Sequence, residues 1–204
     1  MPKSEAQKEL EVYRKTGDAY LSNEDKNMNF SKSDKPNKNI KEEILLILQQ
    51  VCDPEIPVLS ILDLGIVRGI IPIDDEIEII ITPTYSGCPA MDAIAIDIKL
   101  KLIEYGYKKV KVSYTLSPAW TTSWMTLEGK NKLKQYGIAP PNDKNEKDFQ
   151  KRINNLLFKE EENIECPQCH STHTKLLSQF GSTACKALYQ CLDCREPFDY
   201  FKCH

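Results

Sequence analysis

Residues 66–89 read IVRGIIPIDDEIEIIITPTYSGCP, and this stretch decides the fold of the first half of the chain. Two runs rich in β-branched residues, Ile66 to Ile73 and Glu76 to Thr82, flank the pair Asp74-Asp75. Runs of this kind around a short polar pair are typical of a β-hairpin. The stretch therefore predicts two adjacent antiparallel strands, followed by a loop that ends at a Cys-Pro pair.

Helical patterns lie on both sides of this hairpin. Apolar residues fall at helical spacings from Ile40 to about Cys52 and again from Met91 to Tyr105. A third strand is predicted from Lys109 to Leu116, and a short helix from Leu127 to Tyr136. The order helix, strand, strand, helix, strand predicts an α+β fold, a small sandwich with the helices on one face of the sheet.

Composition divides the rest of the chain. The 204 residues are 41% hydrophobic and 28% charged, which suits one ordinary domain and a small second module. We expect a flexible charged tail over 1–39, the α+β domain over 40–141, a charged linker over 142–163, and a cysteine-rich module over 164–204. The first and third segments have little apolar surface to offset the entropy lost on ordering.

Charge and hydropathy exclude several classes of protein. The net charge of −3 at pH 7 gives no electrostatic reason to expect nucleic acid or an anionic membrane as a partner. No run approaches the roughly 20 apolar residues that span a bilayer, and the start lacks the apolar run of a signal peptide. We expect a cytoplasmic protein, in which eight cysteines indicate metal or thiol chemistry rather than disulfides.

Two C-x-x-C pairs lie near the C-terminus and have the spacing of a zinc ribbon. Each pair places two thiolates on one side of a tight turn, and two such turns complete a tetrahedron around a structural Zn²⁺. A closed site of four thiolates has no open position for substrate, so its role should be architectural. The predicted ligands are Cys166, Cys169, Cys191 and Cys194.

Other assignments of this module stay open. An iron–sulfur cluster also takes thiolate ligands, although the ribbon spacing favours zinc. Five further residues could act as ligands, and each is interpreted as uncoordinated: His170, His173, Cys185, Cys203 and His204.

Of the two cysteines in the predicted first domain, Cys88 is the one whose sequence neighbours indicate a reactive or metal-binding thiol. It comes just before Pro89 at a predicted helix start, where backbone N–H groups and the helix dipole favour a thiolate. Cys52 follows an apolar helix and is interpreted as a small core residue. Asp53 and Glu55 lie on a rigid loop between prolines, although loop carboxylates are usually solvated.

The stretch from Ile40 to about Leu116 resembles the SufT-type iron–sulfur maturation domain, a small α+β fold of cluster-assembly factors. The motifs that carry the resemblance are Asp53-Pro54-Glu55-Ile56-Pro57, Asp63-Leu64-Gly65-Ile66-Val67 and the Thr82 to Pro89 loop. In that family the acidic motif and the cysteine lie close in space. The resemblance therefore implies a cluster-maturation site built from Asp53, Glu55, Thr82, Thr84 and Cys88.

Residues 40–204 as a whole resemble the phenylacetate-degradation family of phenylacetyl-CoA 1,2-epoxidase D subunits, zinc ribbon included. The motifs are long, and they are Ser117 to Thr122, Tyr136 to Pro141, Phe180 to Tyr189 and Glu196 to Lys202. The resemblance implies an accessory role, in which the chain assists maturation or delivery of an iron–sulfur cluster for the epoxidase system. The implied partners are the epoxidase components, especially the iron–sulfur reductase, and the implied cargo is a transient cluster. The oligomeric state stays open, with a homodimer among the alternatives.

Other classes of function are weighed against this one. The epoxidase itself would need Glu and Glu-x-x-His ligands for a diiron centre, and all three histidines lie in or beside the ribbon. A thiol enzyme using Cys88 would need a base, and the first domain has no histidine. A non-catalytic adaptor that holds oxygenase components together needs no reactive cysteine and is the main alternative.

Overall fold

The computed structural model describes residues 38–73, 75–141 and 164–202. Residues 1–37 of the predicted tail, the linker 142–163, and Cys203 and His204 lie outside the described residues. Asp74 of the predicted hairpin turn also lies outside them.

The first module has the predicted order of elements. It consists of α1 (Lys38–Leu48), β1 (Val67–Ile73), β2 (Glu76–Ile81), α2 (Ala90–Glu104), β3 (Lys109–Tyr114) and α3 (Leu127–Gln135). β1 pairs with β2 antiparallel, as the hairpin pattern predicted. β3 pairs with β2 in parallel, so α2 is the crossover between them. β2 is therefore the central strand of a mixed sheet.

Alternation along β2 fixes which face of the sheet is buried. Ile77, Ile79 and Ile81 are buried in one core with the apolar residues of α1 and α2. On the other face, Glu78 pairs with Lys111 at 2.9 Å and accepts a hydrogen bond from the Ser113 hydroxyl. This confirms the predicted α+β class.

The first helix ends earlier than predicted, at Leu48 rather than near Cys52. The chain after it turns back on itself, because Asp53 N–H donates to Leu59 O at 2.9 Å and Ile61 N–H donates to Val51 O at 2.9 Å. The loop is also apolar inside, since it buries Ile56, Leu59, Ile61, Leu62 and Leu64. The acidic motif is thus carried by a loop that is fixed to the core.

Asp63, of the Asp63-Leu64-Gly65 motif, is a buried structural carboxylate. It is 3% exposed and accepts hydrogen bonds from the Ser60 hydroxyl at 2.9 Å, the Thr126 hydroxyl at 3.1 Å and Lys132 Nζ at 2.9 Å. Thr126 in turn caps α3 through the Gly129 N–H. Asp63 therefore ties the loop before β1 to the helix that closes the module.

Asp63→Asn should destabilise the first module without changing its chemistry. The amide cannot accept as many hydrogen bonds as the carboxylate and leaves the partly exposed Lys132 ammonium without its counter-charge, so we expect a loss of about 2 kcal/mol. Urea unfolding followed by circular dichroism would measure it. Lys132→Met is the control that removes only the cation, and a wild-type midpoint for Asp63→Asn would contradict this role.

The second module is a three-stranded antiparallel sheet of β4 (Thr174–Ser178), β5 (Lys186–Cys191) and β6 (Pro197–Phe201). Its small core contains Tyr189, Phe198 and Tyr200 with cysteines of the C-x-x-C pairs. Tyr189 stacks on Phe198 with ring centroids 5.9 Å apart and meets Tyr200 edge to face at 5.7 Å.

The two modules share contacts. Ala139 pairs with the edge strand β6, donating to Asp199 O at 2.8 Å and accepting from the Phe201 N–H at 2.9 Å. Phe201 is buried in the core of the first module, where it meets Trp120 edge to face at 6.2 Å. The ribbon is therefore docked on the first module. None of the helices in the described part of the chain is long and apolar enough to cross a bilayer.

Candidate metal centre and cluster-maturation site

The four predicted zinc ligands converge in the ribbon. The thiol sulfurs of Cys166, Cys169, Cys191 and Cys194 all lie within 4.8 Å of one another. The Sγ–Sγ distance is 3.8 Å between Cys166 and Cys194, and 3.5 Å between Cys169 and Cys191. Four sulfurs about 2.3 Å from a central Zn²⁺ would lie about 3.8 Å apart, so the donor set fits this metal.

The backbone of the two turns supports this arrangement. The residue after each pair, His170 or Arg195, has a positive φ, 62° and 68° respectively. Cys194 N–H donates to the Cys191 sulfur at 3.5 Å. Such N–H bonds, led by that of Cys194, lower the pKa of the Cys191 thiol to about 7. The second turn thus favours the thiolate form of Cys191, whereas the pKa values of Cys169 and Cys194 are raised, although the backbone N–H bonds of Ser171 and Glu196 act in the other direction.

The ribbon histidines have other partners. His170 Nδ1 lies 2.8 Å from Glu165 Oε1, and His173 Nδ1 lies 3.1 Å from Asp193 Oδ1. Neither belongs to the group of four cysteines. Zn²⁺ held by four thiolates would be coordinatively saturated and structural.

The acidic motif of the first module is held in a fixed turn. Asp53 Oδ1 accepts from Glu55 N–H at 2.8 Å and from Ile56 N–H at 2.9 Å. The Asp53 carboxylate thus shapes its own loop, and both acidic side chains remain partly exposed. Half-buried carboxylates on a rigid loop can still attract a cation.

Cys88 lies where the sequence placed it, directly before α2. Pro89 is the N-terminal capping residue of that helix. The Cys88 thiol can accept from the Ala90 N–H and from the Tyr85 and Thr84 hydroxyls, and Asp53 lies near enough to act on its charge. The structure therefore brings the cysteine and the acidic loop together.

Burial decides the charge of Cys88. Removal from solvent raises the pKa of this thiol and outweighs the hydrogen bonds of Ala90, Tyr85 and Thr84, while Asp53 raises it further. The helix start alone favours a lower pKa for this thiol, and burial opposes that effect. Binding of a metal ion by Cys88 would therefore have to displace the thiol proton.

The two threonines of the loop have different places. Thr84 lies in the turn and can donate to Cys88. Thr82 is 1% exposed, and its N–H donates to Ile66 O at 2.9 Å. Thr82 therefore continues the pairing of the sheet beyond β2 and anchors the start of the Thr82 to Pro89 loop.

Two residues near Cys88 were not identified as site residues from the sequence. Tyr85 is a hydroxyl donor to Cys88, and burial followed by the charges of Cys88 and Cys185 raises its pKa to about 12. Cys185 comes from the ribbon but is buried in the core of the first module. The position of Tyr85 three residues before Cys88 was a usable signal, whereas nothing in the sequence pattern places Cys185 here.

The candidate maturation site is open. Among the described residues, the ribbon cysteines are the only group of three or more metal-binding side chains within 4.8 Å of one another. Asp53, Glu55 and Cys88 are neighbours but do not form a closed cage.

Comparison with known families assigns both modules. Residues 41–114 match the model of the iron-sulfur cluster assembly protein family, and residues 150–202 match that of the PaaD zinc beta ribbon domain. The chain is thus an iron–sulfur assembly domain joined to a zinc ribbon.

Similarity to a curated relative extends over most of the chain. It is 48% identical over 161 residues, 79% of this chain and 92% of the relative, to an Escherichia coli protein named as the D subunit of 1,2-phenylacetyl-CoA epoxidase. The chain belongs to the family of these D subunits.

The first module also has relatives of its own. It is 35% identical over 95 residues, 46% of this chain and 90% of the relative, to an Fe-S protein maturation auxiliary factor of Porphyromonas gingivalis. Among solved structures, a DUF59 domain from Bacillus anthracis is 26% identical with a TM-score of 0.44, covering 47% of this chain and 92% of that one.

Proposed function

We propose that this protein is a cytoplasmic accessory factor of aerobic phenylacetate degradation. It assists the maturation or delivery of an iron–sulfur cluster for the phenylacetyl-CoA epoxidase system, and the client is the iron–sulfur reductase. The cluster is cargo, and the working site comprises Asp53, Glu55, Thr82, Thr84 and Cys88.

One observation carries this proposal. Cys88 lies half-buried at the start of α2, with the Thr84 and Tyr85 hydroxyls as donors and Asp53 from a separate rigid loop beside it. A thiol with nearby donors and a carboxylate can bind iron and then give it up, because the site supplies few permanent ligands. The relatives of the first module named as Fe-S maturation factors support the same role.

The proposed role needs no catalytic turnover by this chain. Among the described residues the candidate site contains no histidine, since His170 lies beside Glu165 and His173 beside Asp193. Asp53 raises the pKa of Cys88 rather than lowering it, although burial is the larger cause. A nucleophilic enzyme would need the opposite arrangement, with a base or cation that activates the thiol. We therefore place the chain among factors that serve an enzyme.

The test is to produce the reductase in cells with and without this protein. We expect the reductase made without it to contain less iron and acid-labile sulfide per chain, and phenylacetyl-CoA epoxidation in those cells to fall in proportion. Chemical reconstitution of the iron-poor reductase should restore its activity, which shows that only the cluster was missing. Equal iron and sulfide contents in the two preparations would refute the proposal.

A second function, that of an adaptor, is favoured by one surface. Ile96, Leu100 and Ile103 form an apolar stripe along α2 and are 56%, 60% and 52% exposed. Residues at these spacings lie on one face of a helix, and such a stripe suits docking to another protein. In the same experiment, an adaptor would lower epoxidation while leaving the iron content of the reductase unchanged.

A further inference from the structure

We infer that Cys185 of the ribbon and Cys88 of the first module form a two-thiol site that holds the iron or iron–sulfur cargo. This inference rests on the proposed function and extends it, because it makes the ribbon part of the working site. The ribbon would then do more than hold a structural metal.

Cys185 lies away from the other ribbon cysteines. It is 8% exposed and belongs to the buried core of the first module, whereas Cys166 and Cys191 belong to the separate core of the ribbon. Tyr85 and Cys88 pack against that same first core. A cysteine that is distant in sequence is thus delivered to the neighbourhood of the Cys88 loop.

Cys185 is also held firmly. Its carbonyl accepts from Lys202 N–H at 2.9 Å, and Lys186 N–H closes the turn on Thr183 O at 3.2 Å. The Thr183 hydroxyl lies 3.0 Å from the Cys185 sulfur. The position of the thiol is therefore set by backbone and side-chain bonds on both sides of it.

The two thiols share their surroundings. Both Cys88 and Cys185 act on the hydroxyl of the half-buried Tyr85. Besides burial, the Glu55 and Asp53 carboxylates contribute to raising the pKa of Cys185, and Asp53 also contributes at Cys88. The acidic loop, the Cys88 loop and the ribbon therefore converge on one place.

The ribbon residues around Cys185 include two cations. Lys186 lowers the pKa of Cys185, although burial dominates, and Lys202 is a second cation close enough to interact with this thiol. Lys202 Nζ also donates to Gln179 O at 2.5 Å, which anchors it beside the turn. A cluster ligated by thiolates is anionic, and these two ammonium groups offset part of its charge and of the charges of Asp53 and Glu55, although Lys186 Nζ also lies 3.8 Å from the Asp199 carboxylate.

Two thiols are also a suitable number of protein ligands for a metal or cluster that is passed on to a client. Two protein thiolates leave the other coordination positions of a metal or cluster open to a donor or a client. The four-thiolate ribbon site has no such position. One chain therefore combines a closed site that keeps its metal and an open one that can exchange it.

The probe for this site is Co²⁺, added without oxygen to the full-length, zinc-loaded protein. Co²⁺ binds nitrogen and sulfur sites less tightly than Zn²⁺, so the ribbon metal should stay in place. Thiolate-bound cobalt gives an intense near-ultraviolet band that reports the new site directly. We expect wild type to gain this band and to keep its zinc.

The variants are Cys88→Ser, Cys185→Ser and Cys52→Ser. Replacing either thiol of the two-thiol site should weaken Co²⁺ binding at least about 10-fold, the lower end of the loss seen when residues that merely support a ligand are replaced. Cys52→Ser is the matched control, since Cys52 is also half-buried and lies within reach of the Asp53 charge but is not part of the site. Cys185→Ala, checked for zinc content and melting temperature, separates lost binding from lost folding.

The outcomes separate this inference from the proposed function. Loss of the band in Cys88→Ser but not in Cys185→Ser or Cys185→Ala would overturn the two-thiol site and leave a Cys88-based maturation factor standing. Absence of the band in wild type would also overturn it, and the iron content of the reductase would then decide the proposed function alone. Loss of the band in both variants, with Cys52→Ser unchanged, supports the inference.

Discussion

Cys88→Ser should lower phenylacetyl-CoA epoxidation in cells at least about 10-fold, because serine cannot replace a thiolate as a ligand of iron. The fold should survive, since the serine hydroxyl is similar in size and the loop around it is fixed by the Cys88 N–H bond to Tyr85 O at 3.3 Å. The measurements are epoxidation in cells, the iron content of the reductase, and the zinc content and melting temperature of the variant.

Two further variants sharpen this result. Asp53→Asn should give a milder version of the same defect, since the amide retains an oxygen for the turn but loses the charge beside Cys88. Cys52→Ser should behave as wild type. Wild-type epoxidation together with wild-type reductase iron for Cys88→Ser would leave only the adaptor function.

Cys191→Ser should abolish zinc binding and unfold the ribbon. Wild-type protein is expected to hold about one Zn²⁺ per chain, and binding of a structural zinc contributes about 10 kcal/mol or more to the folding of such small modules. Cys191 is 0% exposed, so the serine cannot be accommodated by moving the side chain into solvent. Elemental analysis and NMR spectra of the variant are the measurements.

The effect of Cys191→Ser should extend beyond the ribbon. Phe201 is 2% exposed in the core of the first module and packs on Trp120. Exposing one such aromatic side chain costs about 2 kcal/mol, so the first module should also melt at a lower temperature. A ribbon that retains all its native NMR shifts, or a first module that melts as in wild type, would contradict the shared core.

The parts of the fold that were predictable are those governed by local pattern. The buried isoleucines of β2, Ile77, Ile79 and Ile81, alternate with the more exposed Glu76, Glu78 and Ile80, and this alternation defines both the strand and its buried face. The C-x-x-C pairs are equally local, because each pair defines its own turn. For Cys88, Asp53 and Glu55, spacing alone gave candidates, and the family resemblance put them in one site.

The parts that were not predictable depend on tertiary contacts. Asp63 looks like any loop carboxylate in the sequence, and its role appears only when Thr126 and Lys132 fold over it. The direction of the Cys88 pKa shift was also not predictable from the sequence, because a helix start is a local feature whereas burial depends on the whole module. Cys185 reaches the first core through a docking of two modules that no periodicity encodes.

The pairing of Ala139 with Tyr200 has a consequence for the segment over 142–163. Ala139 and Ile164 lie in the same buried cluster, each 1% exposed, so the described residues on either side of this segment belong to one core. A backbone break within it would leave the two parts associated as a noncovalent pair. This segment is therefore a natural place for insertions, such as an affinity tag or a fluorescent domain, that leave both modules in register.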